Sequence, residues 1–454
     1  MRNIARWDEN KFSAPLMLGV VMLAPYLAAW SVGDLRKGTV AFVAIFFAAF
    51  ALYAGVTVLA LRMRDLSRRA LVTSFALAAL MQGILVLTPP TLSDDMYRYV
   101  WEGRIQAHGF SPYLYPPNAP ELAHLRDDAV WRHVNRKGDV TIYPPAAELA
   151  FALLWRIWPD SVRWFQIAMS LGALLAGMLL VQLLQTLEMP AARVLIYLWS
   201  PLLLFETAHG AHVDGLVLPL LVGAWLARAR ERDGIAGALL GLAIAVKLYP
   251  LLLFPALWRP HHPQGRWRMP LAAIATVALA YLPYLWWNGA AVIGFLPKYF
   301  GERFNVGLAG LLRPLWAQSG IDPDRGLMAL TALALALLAG WMLYSPAPDG
   351  ETAIRRCIWL TGAFTLLTQN LFPWYMLWVL PLAALFLRPG RLAGLRADGW
   401  TGWWLFCGLV GLAYTFFVNW RPVPAAIWAQ FVPLYALLMV DLARRLWARR
   451  QPVK

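Results

Sequence analysis

Residues 39–61 read TVAFVAIFFAAFALYAGVTVLAL, 23 positions without one charge. A helix rises about 1.5 Å per residue, so this run is long enough to cross a hydrocarbon core of about 30 Å. Similar apolar runs flank it at 15–33 and 70–88. Others follow at 163–186, 191–208, 213–229, 234–257, 269–287, 327–344, 357–372, 374–387, 401–418 and 425–443. Hydrophobic residues are 60% of the 454 and charged residues 14%, against about 45–50% and 25% in soluble domains. Soluble, collagen-like and disordered chains are excluded, and an all-α polytopic membrane protein is predicted. The first run is too long for a secretory h-region and is expected to stay as a signal anchor. Cys357 and Cys407 both lie in apolar runs, which excludes a disulfide framework and a cysteine-based zinc site.

Lys and Arg number 40 against 25 acidic residues, a net charge of +15. In a soluble chain that excess would suggest nucleic acid. Here it falls in short loops between apolar runs, so it reports orientation, and no nucleic-acid partner is expected. Arg2/Arg6/Lys11, Arg62/Arg64/Arg68/Arg69, Arg228/Arg230/Arg232, Arg388/Arg391/Arg396 and Arg444/Arg445/Arg449/Arg450 all read as cytoplasmic. This holds from both termini only if one run fails to cross. Run 234–257 contains Lys247, is broken by Pro250 and Pro255, and is followed by Arg259, Arg266 and Arg268. It is therefore expected to be a re-entrant hairpin, whose irregular backbone must be buried in protein or line a cavity. Twelve crossings then make a single transmembrane domain over 1–454, both termini cytoplasmic, with outer loops at 89–162 and 288–324. The first loop is rich in Tyr, Pro and Trp, and its apolar stretch Ala146–Trp155 is expected to form a helix on the membrane surface.

Four stretches bear polar groups where a membrane chain rarely places them. Ser93-Asp94-Asp95-Met96-Tyr97-Arg98-Tyr99 sets two carboxylates at the outer surface beside an arginine. A carboxylate at the mouth of a bundle can serve as general base toward a hydroxyl; the alternative is a solvated loop start. His209-Gly210-Ala211-His212-Val213-Asp214, with Glu206 one turn earlier, occupies a short outer loop. A polar network lining a substrate cavity fits better than a metal site, since the spacing matches no zinc pattern. Lys247-Leu248-Tyr249-Pro250 lies within the hairpin; the lysine either snorkels or holds a phosphate as a point charge. Gln369-Asn370-Leu371-Phe372-Pro373-Trp374-Tyr375 closes a helix end, either as interfacial belt or as a sugar-stacking platform. Arg303 and Asn305 lie in the second outer loop. No Gly-rich loop ending in Lys-Ser/Thr is present, which argues against an ATP-driven pump.

Taken together, the chain resembles the GT-C superfamily of integral-membrane glycosyltransferases. The nearest likeness is to bacterial polyprenol-phosphate-mannose-dependent mannosyltransferases, glycosyltransferase family 87-like. The residues carrying it are Asp94 through Arg104 running into Gly109-Phe110-Ser111-Pro112-Tyr113, then Tyr143-Pro144-Pro145, His209 through Leu216, Lys247 through Pro250, and Pro373 through Trp378. The resemblance implies a base in the first outer loop that takes a proton from the acceptor hydroxyl as its oxygen attacks the anomeric carbon of a lipid-phosphate sugar. Asp95 takes that role, with Asp94 beside it. Arg98, Arg104, Tyr143, His209, His212, Asp214, Lys247, Tyr249, Arg303, Trp374 and Tyr375 are the implied substrate-binding residues. No cofactor is predicted, and no metal ligand is assigned, though a divalent cation is compatible with the family.

The expected activity is transfer of a hexose, foremost mannose, from a polyprenyl-phosphate sugar to a glycolipid, glycan or protein acceptor at the outer face of the inner or plasma membrane. Two rivals are a carrier or flippase for a lipid-linked sugar, which needs no base, and a non-catalytic subunit of a polysaccharide assembly system.

Overall fold

The computed structural model describes residues 13–63, 65–263, 265–294 and 302–450. It is helical almost throughout, and the one named strand among the described residues is Pro389–Leu392. Every predicted apolar run falls on helix. Among the described residues, eight helices are long and apolar enough to cross a membrane: Ser13–Val32, Thr39–Arg62, Arg68–Val86, Val162–Thr186, Arg266–Ile293, Pro323–Tyr344, Gly399–Asn419 and Pro424–Ala448. A pair bent by 54°, Ala191–Leu198 and Pro201–His209, makes a ninth if it counts as one span. By length and composition alone, eight or nine of the twelve expected crossings are accounted for among the described residues. The three remaining runs are helices that are shorter or more polar: Asp214–Ala229, Gly350–Leu367 with Glu351, Arg355 and Arg356, and the broken helix Pro373–Phe386.

The chain packs as two compact units built from alternating segments. The first takes Met1–Thr88, Leu184–Phe205 and Phe372–Lys454. Aromatic rings fill it: Phe42 meets Phe205 and Tyr414 edge-on at 5.2 Å each. Several of its buried polar side chains find backbone or side-chain partners, as hydrocarbon requires. Tyr53 donates to the Ile196 carbonyl at 2.7 Å and accepts from Trp404 Nε1 at 2.9 Å. Arg193 donates to the carbonyls of Ala384, Leu385 and Leu387, which closes the end of the broken helix. Trp374 stacks on Phe372 at 4.4 Å and Tyr375 on Trp378 at 4.5 Å, both in this unit.

The second unit takes Pro89–Leu183 and Glu206–Leu371. Its helices touch through small residues. A Cβ on Gly237 would stand 2.1 Å from the Met269 carbonyl oxygen, and one on Gly241 2.6 Å from that of Ala273. This small-xxx-small stripe lets Asp233–Val246 lie directly on the backbone of Gly265–Asn288. Trp286 and Tyr344, 94% and 89% exposed near the ends of their helices, suit the headgroup belt.

The expected hairpin is present. The helix Asp233–Val246 stops at Lys247, whose backbone is extended (φ −154°, ψ 135°). A 3-10 turn Tyr249–Leu253 and a helical turn Phe254–Leu257 follow, each with proline at its start. Arg259 Nε then donates to Asp233 Oδ1 at 3.0 Å, and Arg228 Nε to the Leu257 carbonyl at 2.9 Å. The segment thus begins and ends at the same level, with Lys247 toward its far tip. The 89–162 loop contains two 13-residue helices, Asp95–Ala107 and Pro145–Ile157. Leu149, Leu153 and Ile157 form an exposed apolar stripe on the second, at the i, i+4, i+8 spacing of a surface-lying helix.

Candidate active site

Asp95 is the first residue of its loop helix, where the helix dipole favours a carboxylate. Its backbone N–H donates to Ser93 Oγ at 3.2 Å. Asn135 Nδ2 donates to Asp95 Oδ1 at 2.8 Å, and His212 Nδ1 lies 3.6 Å from Oδ2. The Asp95 side chain keeps 23% of its surface open. Burial works against its charge. Contact with the His212 ring, the Asn135 amide and the charge of Lys247 outweigh that, so the carboxyl is held below the ordinary carboxylate range. Asp94 precedes the helix, and its charge is felt by Lys137.

Asn135 is held in turn by Arg98. The guanidinium donates to Glu102 Oε1 at 2.5 Å and to the carbonyls of Asn135, Arg136 and Asp139 at 3.4, 3.1 and 2.8 Å. Arg98 therefore shapes the loop that presents Asn135. Arg104 does similar work, with donors to Asp160 Oδ1, the Leu125 carbonyl and Asp127 Oδ2 at 2.8, 2.9 and 2.6 Å. Both arginines are buried.

Beneath lies a cluster of acids. Thr141 Oγ1 and Gln106 Nε2 donate to the two oxygens of Glu148 at 2.7 and 2.9 Å. Burial and the neighbouring Glu102 charge push the Glu148 carboxyl well above its usual range. Tyr143 follows: its hydroxyl donates to Tyr99 Oη at 3.4 Å, and its carbonyl accepts from Tyr113 at 2.7 Å. Tyr99 Oη also accepts from the Val213 N–H at 3.5 Å, which ties the loop helix to the His209–Asp214 segment.

That segment directs its three polar residues to three different partners. His209 Nε2 accepts from the N–H groups of Thr91 and Leu92 at 3.3 and 3.4 Å, so the ring pins the start of the outer loop. His212 stands between Asp95 and Glu206, with Nε2 3.2 Å from Glu206 Oε2. Asp214 Oδ2 accepts from Lys247 Nζ at 2.7 Å. His209, His212 and Asp214 therefore do not converge on one point. Lys247 keeps 19% of its side chain open, and Asp214 keeps 1%. Tyr249 is buried in the next turn.

Arg303 lies apart from this cluster and donates to Asp324 Oδ2 at 2.5 Å; Arg313 shares the same carboxylate. Arg136, beside Asn135, forms an ion pair with Glu302 of the second outer loop. Sequence reasoning missed Asn135, which sits 40 positions from Asp95 in a loop with no distinguishing pattern. It noticed Glu206 without placing it in the site, although an acid between two apolar runs is itself a signal.

Residues 15–259 match the family described as alpha-(1->6)-mannopyranosyltransferase, N-terminal domain. The chain belongs to this family. Among curated proteins it is similar to alpha-(1->6)-mannopyranosyltransferase A of Mycobacterium tuberculosis, 26% identical over 372 residues that cover 73% of this chain and 70% of the relative. It is also similar to a probable alpha-(1->6)-mannopyranosyltransferase of Mycolicibacterium smegmatis, 24% identical over 371 residues, covering 67% of this chain and 64% of that one. No solved structure matches. The family match spans Asp95, Glu206, His212, Asp214 and Lys247, so the whole buried cluster falls within the mannopyranosyltransferase region.

Proposed function

We propose that the protein transfers mannose from a polyprenyl-phosphate mannose to a hydroxyl of a glycan, glycolipid or protein acceptor at the outer face of the cell membrane, with both termini cytoplasmic. The observation that carries this reading is Asp95: a partly open carboxylate, held ionised at the start of the loop helix. It accepts the proton of the acceptor hydroxyl as that oxygen forms its bond to the anomeric carbon. The bond from that carbon to the phosphate oxygen breaks, and the polyprenyl phosphate leaves with the electron pair. A single displacement inverts the anomeric centre, so an alpha product requires a beta-linked donor. Lys247, toward the hairpin tip, is a cation whose charge reaches the base, and it stabilises the leaving phosphate. Arg98 and Arg104 serve by holding the loop that completes the site. Asp94 is the base's neighbour, and Tyr143 and Tyr99 form the wall beside it.

The relatives' names support mannose and an alpha-(1->6) linkage, and the base supports transfer over carriage, because a carrier has no proton to remove. The test is a donor panel offered to purified protein in nanodiscs with host lipid and glycan extracts. Product is expected from polyprenyl-phosphate mannose and none from GDP-mannose. Product from the nucleotide sugar alone, or binding of the lipid sugar with no product from any acceptor, would overturn the proposal.

A further inference from the structure

The backbone between Glu206 and His212 departs from regular structure in three successive places. Phe205–His209 is a π-helical turn, a form that gathers at functional sites. Ala211 sits at φ +48°, in the left-handed region that a side chain disfavours. A Cβ on Gly210 would stand 2.8 Å from the His212 ring, so glycine is needed for the close approach. The result is a tight fold-back in which the His212 N–H donates to the Glu206 carbonyl at 3.0 Å. It places the imidazole between two carboxylates, 3.2 Å from Glu206 and 3.6 Å from Asp95. Glu206 and His212 are each 1% exposed. Strain of this kind persists only where the surroundings enforce it.

We infer that Glu206 is a positioning residue for the transfer reaction, holding His212 as an imidazolium that keeps Asp95 ionised and oriented toward the acceptor hydroxyl. The inference rests on Asp95 being the base. With a carboxylate at each nitrogen, the ring carries both protons and has no site to receive a third. The acceptor's proton therefore ends on Asp95 and leaves from there to water once the product has gone. Among the other titratable groups, Tyr99 from the loop helix and Lys247 from the hairpin tip bear on Asp95, and Asp214 from the following helix bears on Tyr99 and pairs with Lys247, while the neighbouring His209 ring is turned to Thr91 and Leu92. Burial alone would disfavour the imidazolium; the contacts with Asp95 and Glu206 and their charges reverse that and raise the ring to about 9.

The charged form, on which the inference depends, is present below that value and lost above it. Removing the Glu206 charge should therefore move the alkaline limb of activity downward by about one to three pH units. The experiment compares kcat against pH for wild type, Glu206→Gln, Glu206→Asp and Asp95→Asn in nanodiscs with polyprenyl-phosphate mannose. Glu206→Gln should keep near-wild-type kcat at pH 6 and lose it by pH 8, and Glu206→Asp should restore most of the loss. A kcat lowered equally at every pH, or a limb that does not move, overturns the inference. Asp95→Asn separates the two levels. If it stays active, the base assignment is wrong; if it is inactive while the Glu206→Gln profile is unmoved, only the role of Glu206 falls. Should Glu206→Gln not fold, nitrogen-15 histidine NMR of the wild-type chain gives the same answer. A His212 ring that is doubly protonated at pH 7.5 supports the inference, and a neutral ring overturns it.

Discussion

Replacing Lys247 by methionine should damage the protein in two separable ways. At 2.7 Å from Asp214 Oδ2, the ammonium contributes a gross attraction of about 6 kcal/mol at an effective dielectric constant of about 20. Desolvation offsets much of this in the intact pair. Once the lysine is gone, Asp214 remains as a buried carboxylate that has lost its ammonium partner, and breaking such a pair from one side costs about 3–5 kcal/mol. Lys247→Met should therefore lower the unfolding midpoint in nanodiscs by about 3–5 °C. The double variant Lys247→Met/Asp214→Asn removes the stranded charge, and most of the lost stability should return. Activity should not return with it, because the leaving phosphate has lost its cation in both variants. Tryptophan-fluorescence melting and mannosyl transfer, measured on the same samples, read the two effects. A Lys247→Met midpoint within 2 °C of wild type would refute the packing argument. Full activity in the double variant would refute the phosphate role.

Three other outcomes follow from the geometry. Gly237→Leu drives a side chain into the Met269 carbonyl and should prise apart the two helices that carry the hairpin, with a loss of about 1–3 kcal/mol or more in the same melting assay. Glu148 has a raised folded pKa, so its contribution to stability is complete at acid pH and is lost as pH climbs through that raised value. Glu148→Gln and Glu148→Ala should both remove this pH-dependent loss, because neither side chain titrates, but only Glu148→Gln can keep an acceptor for Thr141 and the stability that bond supplies. Arg98→Met strands the buried Glu102 carboxylate and frees three loop carbonyls. The 135–139 loop should then become open to limited proteolysis in the outer loop, and transfer should fall with it.

Much of the fold was legible because a bilayer leaves few options. Backbone groups in hydrocarbon must be paired within helices, so the apolar run at 39–61 has one reading. The hairpin was legible for a related reason: Lys247, Pro250 and three following arginines are hard to reconcile with a crossing. The number of full-length spans was less so, because Asp214–Ala229 and Pro373–Phe386 are supported by neighbours rather than by length. In the site, the carboxylate at Asp95 and the buried ions at Asp214 and Lys247 announced themselves by being costly where they stand. Their partners did not. Arg98 and Arg104 read as free cations for a phosphate, yet their donors go to loop carbonyls and to Glu102, Asp127 and Asp160. Such pairings depend on how the 125–139 and 160 loops close in space, and sequence spacing carries no record of that. Asn135 is the plainest case, an ordinary loop amide until the fold sets it against Asp95.

The central claim is that Asp95 removes the acceptor's proton. It is tested most directly by single-turnover transfer with Asp95→Asn, alongside donor affinity measured on the same preparation. The substitution preserves shape and removes only basicity. The account predicts donor binding within a few-fold of wild type and a transfer rate reduced about a hundred- to ten-thousand-fold. A transfer rate close to wild type at unchanged donor affinity would contradict it.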